Sequence, residues 1–215
     1  MKAITVWQPW AGALAAGIKE NETRSWATKY RGPIAIHAAM RDVFDGLELI
    51  PVPTALKIKE ALRCEWADMP KGAVVATGEL VDCIKITPEF VATLSPDELA
   101  LGDYTLGRYA WKLENVSRLP EPVPVKGKQG IWNWEALLLR HKGRDSWDRP
   151  VYIDESGKLW KDVDPLPDGP PKLCTALYNA FDGEPDTPME YMKKYEGVPV
   201  VFLPERDTWK RRTNT

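Results

Sequence analysis

The first part of the chain alternates β-branched apolar runs with short helix-like stretches. Ala3–Trp7, Pro33–Ala38, Ala73–Ile86 and Arg108–Val116 read as strands from their alternating or continuous apolar pattern, with a shorter run at Val123–Lys126. Pro9 suits a first helical position and Gly17 the residue just past a last turn, so a helix is expected from Pro9 to Ala16. Thr54 to Trp66 carries Ala55, Leu56, Ile58 and Leu62 at near-helical spacing. Thr87-Pro88 opens another helix, Ser95-Pro96-Asp97-Glu98 reads as a capping box, and Asn133 is placed to cap a last helix through Leu139. The sum is a mixed fold with about five or six strands.

The pattern changes towards the end. Nine of the 19 prolines fall in residues 144–215, several in Asp164-Pro165-Leu166-Pro167-Asp168-Gly169-Pro170-Pro171. Proline and glycine at that density break helices and central strands, so a loop-rich extension is expected. Val198-Pro199-Val200-Val201-Phe202-Leu203 is the exception, a run able to dock as an extra strand. Residues 1–143 carry 18 basic and 17 acidic side chains, leaving 11 and 14 of the 29 and 31 for the remainder, or +1 against −3. The division is drawn between residues 1–140 and an acidic, Pro/Gly-rich extension at 141–215.

Composition narrows the classes. With 215 residues, 44% hydrophobic and 28% charged, the chain is neither wholly disordered nor collagen-like. The longest small or apolar stretch, Ala11 to Ile18, falls well short of the roughly 20 residues of a membrane helix, and no membrane partner is expected. A strand-like run follows Met1 at once where a secretory signal would carry its basic start and apolar block, so the expected compartment is the cytoplasm. Cys64, Cys83 and Cys174 are odd in number and far apart, which fits buried thiols better than a disulfide framework. His37 and His141 are the only histidines, so no metal site and no cofactor are expected. A net charge of −2 means that any nucleic-acid binding must be local.

Candidate chemistry is densest in Gly17-Ile18-Lys19-Glu20-Asn21-Glu22-Thr23-Arg24-Ser25-Trp26. A turn at Gly17 would let Lys19, Glu22 and Arg24 converge. In an extended chain Glu22 and Arg24 share one face, and Thr23 and Ser25 the other. An ammonium, a carboxylate and a guanidinium together suit a nucleobase or phosphodiester, although a salt-bridge cluster that merely holds a loop uses the same residues. Lys126-Gly127-Lys128-Gln129-Gly130 joins two cations to glycines that permit close backbone approach, or forms a solvated turn; it lacks the spacing of a Walker loop. Ten tryptophans are many, and Trp7, Trp10 and Trp26 flank the charged segment, where indoles either pack in a core or stack on bases. His37 reads as a structural histidine before a catalytic base. Glu79 and Asp82 interrupt an apolar strand and belong either at a sheet end or along a cleft.

These residues carry a resemblance. Trp7-Gln8-Pro9-Trp10-Ala11, the pattern G-x-K-x-x-E-x-R on Gly17, Lys19, Glu22 and Arg24, Ser25-Trp26, Tyr30-Arg31-Gly32, Gly72-Ala73-Val74-Val75, Val81-Asp82-Cys83, Tyr109-Ala110-Trp111 and the stretch from Pro124 to Trp132 resemble the ASCH (activating signal cointegrator homology) family, closest to its cointegrator-like branch. The resemblance covers about residues 1–136. It implies an α+β fold, a PUA-like β-barrel with flanking short helices, whose G-x-K-x-x-E-x-R loop borders a cleft for RNA or a nucleotide.

Family members include nucleic-acid binders, a suspected ribonuclease and an amidohydrolase acting on acetylcytidine. Lys19 matches that amidohydrolase's catalytic lysine, but Glu22 stands where its threonine nucleophile would be. A carboxylate cannot form the same readily cleared acyl ester. The amidohydrolase's further acidic residue has no motif anchor here, and Glu98 corresponds to it by position alone. The expectation is a protein that binds RNA, single-stranded nucleic acid or a nucleotide. Lys19 and Arg24 would hold phosphate or a carbonyl, Glu22 would accept from a base amine, and Trp10, Trp26, Tyr30, Arg31, Lys126 and Lys128 would form the rim. The alternative is a hydrolase of modified nucleosides or RNA using Lys19 and Glu22 as acid and base. A third class is an adaptor with a protein partner on its C-terminal extension.

Overall fold

The computed structural model describes residues 1–166, 169–177 and 181–203. The chain divides into two compact units, Met1–Trp134 and Glu135–Thr215. The first is mixed α+β. Its six strands are β1 (Lys2–Val6), β2 (Asn21–Arg24), β3 (Gly32–Ala38), β4 (Ala73–Lys85), β5 (Tyr109–Pro124) and β6 (Ile131–Asn133). They form one sheet in the order β2-β5-β4-β3-β1-β6, curled as a half-barrel with β2 and β6 at its edges. β1 and β3 run parallel, with Thr5 opposite His37, and the other pairs are antiparallel. The runs expected at Arg108–Val116 and Val123–Lys126 are one strand, β5, which stays paired to β4 through three register shifts. Each shift bends the long hairpin and lets the sheet curl.

Five short helices flank the sheet: α1 (Trp10–Ala15), α2 (Val43–Leu47), α3 (Val52–Leu62), α4 (Pro88–Val91) and α5 (Pro96–Ala100). Their starts follow the expected chemistry. Thr87 accepts from Phe90 N and Ser95 from Glu98 N, each with proline next in the chain. α2 has no apolar period long enough to find in the sequence, but Asp42 caps it by accepting from Phe44 N. Gly17 ends α1 at φ +71, a left-handed conformation that costs glycine little, and the amides of Ile18 and Lys19 both donate to Ala13 O. The chain thereby reverses into β2.

One core cluster joins the sheet and α1 through Ile4, Leu14, Ile34, Ile36, Leu80 and the fully buried Trp111. A second lies between α1 and α3, around Ile58, Leu62 and Met69. Glu79 belongs to neither place expected for it: it is exposed on the outer face of β4, where its carboxylate accepts from Asn115.

The second unit holds a five-stranded sheet, β10-β9-β8-β7-β11, built from β7 (Leu137–Arg144), β8 (Pro150–Ile153), β9 (Leu159–Asp162), β10 (Leu173–Thr175) and β11 (Val200–Leu203). The helix expected through Leu139 is therefore the strand β7. Its Leu137, Leu138 and Leu139 are all buried, as in a strand covered on both faces. Most of the described prolines and glycines sit between strands of three to eight residues, which is why that sequence reads as loop. The run at Val198–Leu203 docks as β11, parallel to β7. Leu137, Leu139, Tyr152, Trp160 and Leu173 form the core of this unit. Beside them Asp145 accepts from Lys161 Nζ at 2.8 Å, from Arg149 Nε at 2.7 Å and from the amides of Trp147 and Arg149. Burial alone would raise the Asp145 pKa, but the Lys161 and Arg149 bonds prevail and hold it at about 2. No helix among the described residues is long and apolar enough to cross a membrane.

Candidate nucleic-acid interface

β2 delivers the charged motif. Because Asn21–Arg24 is extended, Glu22 and Arg24 share a face, and Glu22 Oε1 lies 3.1 Å from Arg24 Nη2. The same Nη2 donates to Thr5 O at 2.8 Å, tying the guanidinium to β1. Arg24 Nε is buried without a partner among the described residues.

Two concavities open here. The first, about 440 Å³, is lined by Trp7, Trp10, Glu22, Thr23, Arg24, Leu49, Asp103 and Arg108 among others. The second, about 870 Å³, is lined by Trp26, His37 and Met40 and by the loop Val125 to Gly130. Thr5, Trp7 and Arg24 belong to both, so the two concavities adjoin along these residues.

The two halves differ in charge. The first mixes the carboxylates of Glu22 and Asp103 with the guanidinium groups of Arg24 and Arg108. The second has Arg24, Lys126 and Lys128 and no carboxylate among its described lining residues. Trp7 and Trp26 are 44% and 40% exposed, unusual for indoles, which mostly bury their rings. Trp26 stands edge-on to buried Trp111 at 4.6 Å, and Trp7 carries the Arg41 guanidinium 3.8 Å from its ring centre. Asp45 holds that guanidinium through Arg41 Nε at 2.9 Å.

The loop from Val125 to Gly130 is fixed from below. His37 Nε2 donates to Val125 O at 2.9 Å, and Thr5 Oγ1 donates to Lys128 O at 2.8 Å while accepting from Trp132 Nε1. Gly127 lies against the imidazole so closely that a Cβ there would stand 2.4 Å from His37 Cε1 and 2.6 Å from Nδ1. Burial lowers the His37 pKa, with the Val125 carbonyl pulling the other way, so the ring is neutral near pH 7. Nδ1 is then an acceptor, buried and without a partner among the described residues.

The remaining expected site residues lie elsewhere. Lys19 is only 2% exposed and lines neither concavity. Its Nζ donates to Leu101 O at 2.8 Å and sits 4.0 Å from Glu98 Oε1. Burial lowers its pKa, opposed by the charges of Glu22 and Glu98. Glu98 is as enclosed, accepting from the amides of Glu20 and Asn21, from Asn21 Nδ2 and from the Tyr104 hydroxyl. Desolvation first, then that carboxylate, raises the Tyr104 pKa. Lys19 and Glu98 thus support the wall from behind, through Leu101. Tyr30 and Arg31 also line neither concavity. Tyr30 donates its hydroxyl to Pro33 O, and Arg31 pairs with Asp82 at 3.0 Å and donates to Thr28 O and Tyr30 O.

Trp10 and Glu22 line the first half, Trp26, Lys126 and Lys128 the second, and Arg24 both. Among the groove residues not singled out from the sequence are Thr5, Met40, Leu49, Asp103 and Arg108, none of which stands in a motif. Cys64 and Cys83 are half-buried and only Cys174 is buried. Among the described residues no three His, Cys, Asp or Glu side chains gather as a metal site.

The ASCH domain family model matches residues 4–122. Activating signal cointegrator 1 of Homo sapiens is 27% identical over 141 residues, covering 65% of this chain and 23% of that protein, and its Mus musculus counterpart is 26% identical over the same length. The chain therefore spans less than a quarter of the length of these curated relatives. The crystal structure of ASCH from Zymomonas mobilis aligns with a TM-score of 0.41 and 14% identity over 62% of this chain and 86% of that one. With the family match running from β1 into β5, over more than half of its length, the chain belongs to the ASCH domain family.

Proposed function

We propose that this protein binds RNA, single-stranded nucleic acid or a nucleotide in the groove that joins the two concavities, and that residues 1–140 carry the activity. The observation that carries the reading is the second half of the groove. Arg24, Lys126 and Lys128 line the same concavity as two exposed indoles, with no carboxylate among the described lining residues. Cations beside exposed aromatic rings hold a strand by its phosphates while stacking its bases, whatever their sequence. Glu22, in the first half, supplies an acceptor for a base amine.

Less supports the hydrolase alternative. Glu22 faces the groove, but Lys19 Nζ is committed to Leu101 O, so the two do not form an acid–base pair on one wall. Residues 141–215 keep the adaptor role in this reading, with Trp147 and Tyr191, 67% and 75% exposed, as anchors for a protein partner. Three free cysteines suit the reducing cytoplasm, the compartment this reading assigns.

The test is fluorescence anisotropy of a labelled hexaribonucleotide titrated with the protein and with its Trp26→Ala variant. Micromolar or tighter binding that weakens about tenfold in the variant is expected, the effect of losing one stacked base. Absence of binding by the parent at low salt overturns the reading.

A further inference from the structure

The two halves of the groove differ in chemistry but share Arg24, and that juxtaposition specifies more than a nucleotide site. We infer that the ligand is an internal dinucleotide step of a single strand, with one base in each half and the linking phosphodiester on Arg24. This rests on the nucleic-acid reading above and narrows it from mononucleotides and nucleosides to a continuous strand.

The first half has the size and polarity for one base. Its volume is about 440 Å³, and Trp10 provides an aromatic wall beside the Glu22 carboxylate. The Glu22 carboxylate is an acceptor for base amines, which places a base in this half. The second half reverses that preference. Its volume is about 870 Å³, its charged side chains are all cationic, and Trp26 offers a second ring. It accommodates a base together with backbone phosphates.

Arg24 is the only charged side chain common to both linings. Nη2 is committed to Thr5 O and Glu22 Oε1, which fixes the plane of the guanidinium. The side chain still has 29% of its surface exposed, leaving a cationic edge at the junction. A planar cation held at a fixed point between two base-sized spaces matches the phosphate between two nucleosides, since guanidinium recognises phosphate oxygens directionally. Trp7 also borders both halves, with Arg41 against its ring. It separates the two bases as a fixed partition.

The experiment is isothermal titration of the full chain with ribonucleoside 5′-monophosphates, dinucleoside monophosphates, a hexaribonucleotide and a dinucleotide whose linking phosphate is a neutral methylphosphonate. The dinucleotide is expected to bind at least about tenfold more tightly than either of its mononucleotides, because a second stacked base is added. The methylphosphonate should lose most of that gain. Arg24→Gln should lower dinucleotide affinity by a larger factor than mononucleotide affinity, because only the dinucleotide places a linking phosphate at the junction. Should that variant fold poorly, Trp26→Ala, at an exposed ring, should lower dinucleotide affinity about tenfold by removing one of its two stacked bases. Mononucleotides binding as tightly as dinucleotides, or a methylphosphonate as tight as the natural linkage, overturns the dinucleotide assignment while leaving groove binding intact. Hexaribonucleotide binding with neither shorter ligand detectable at millimolar concentration overturns it as well, since the strand then lies on a longer path. Failure of every ligand overturns both readings.

Discussion

Thr5 and His37 stand opposite each other in the parallel register of β1 and β3, and together they hold the same loop, Thr5 through Lys128 O and His37 through Val125 O. Gly127 closes over both side chains. The loop that presents Lys126 and Lys128 is thus fixed by the sheet beneath it, which lowers the ordering cost of binding a strand.

Gly127→Ala tests that closure. The added methyl would approach the buried imidazole and stand 2.9 Å from Thr5 Oγ1, so the loop has to lift. A loss of about 1–3 kcal/mol in stability is expected, as for other overpacked sites. Nucleic-acid affinity should fall with it. Urea denaturation and anisotropy check the two effects, and an alanine variant equal to the parent in both would show that the loop moves freely.

Acidification tests His37. Its folded pKa lies below the unfolded value of about 6.5, so below that value the unfolded chain takes up the proton first. The stability linked to neutral His37 is complete above about pH 6.5 and is lost as pH falls through the folded pKa. His37→Gln keeps a donor for Val125 O and cannot titrate. Between pH 7.5 and 5 the parent should lose more stability than this variant; parallel urea midpoints across that window contradict the assignment.

Salt dependence separates Lys126 and Lys128 from Lys19. Both loop lysines are exposed on the cationic half of the groove, whereas Lys19 Nζ is enclosed behind the wall. Removing both loop charges should reduce the slope of log affinity against log salt by about 1.4, two single-strand phosphate contacts. Lys19→Met should lower stability and leave the slope unchanged. A slope that falls with Lys19→Met would put its ammonium on the ligand.

Asp145 is the matching test in the second unit. Asp145→Asn leaves the Lys161 ammonium, whose side chain is 0% exposed, without its charge partner, and a loss of about 3–5 kcal/mol is expected. In the parent this contribution is present above the ordinary aspartate value of 3.8 and is lost as pH falls through about 2. Fluorescence of Trp160, buried in the same core, reports the transition. A variant with unchanged urea midpoint would mean that water reaches Lys161.

How much of this the sequence disclosed depended on the range of the forces involved. Glu22 and Arg24 were legible because strand alternation is local: once Asn21–Arg24 is extended, two residues apart means one face. Lys19 was not, because it stands in the turn before β2, where no period applies, and its direction is set by Leu101 and Glu98 about eighty positions away. Tyr30 and Arg31 failed for the opposite reason, their polar groups being met by near neighbours such as Thr28 and Pro33. Lys126 and Lys128 were found through their glycines, but nothing local showed that His37 supports them. In the second unit β11 was legible as an apolar run, while β8 to β10 were obscured by turns such as the one in which Asp154 accepts from the amides of Ser156 and Lys158.

Both sheets seat an early strand beside a late one. Lys2 pairs with Asn133 in the first, and Leu137 with Val200 in the second. In a growing chain each sheet stays incomplete until its late strand has emerged, β6 for the first sheet and β11 for the second. Each unit must close a loop of its own length before those edge contacts form, a topology of high contact order that folds slowly. β7 meanwhile waits with an open edge, exposed to pairing with other chains until β11 covers it.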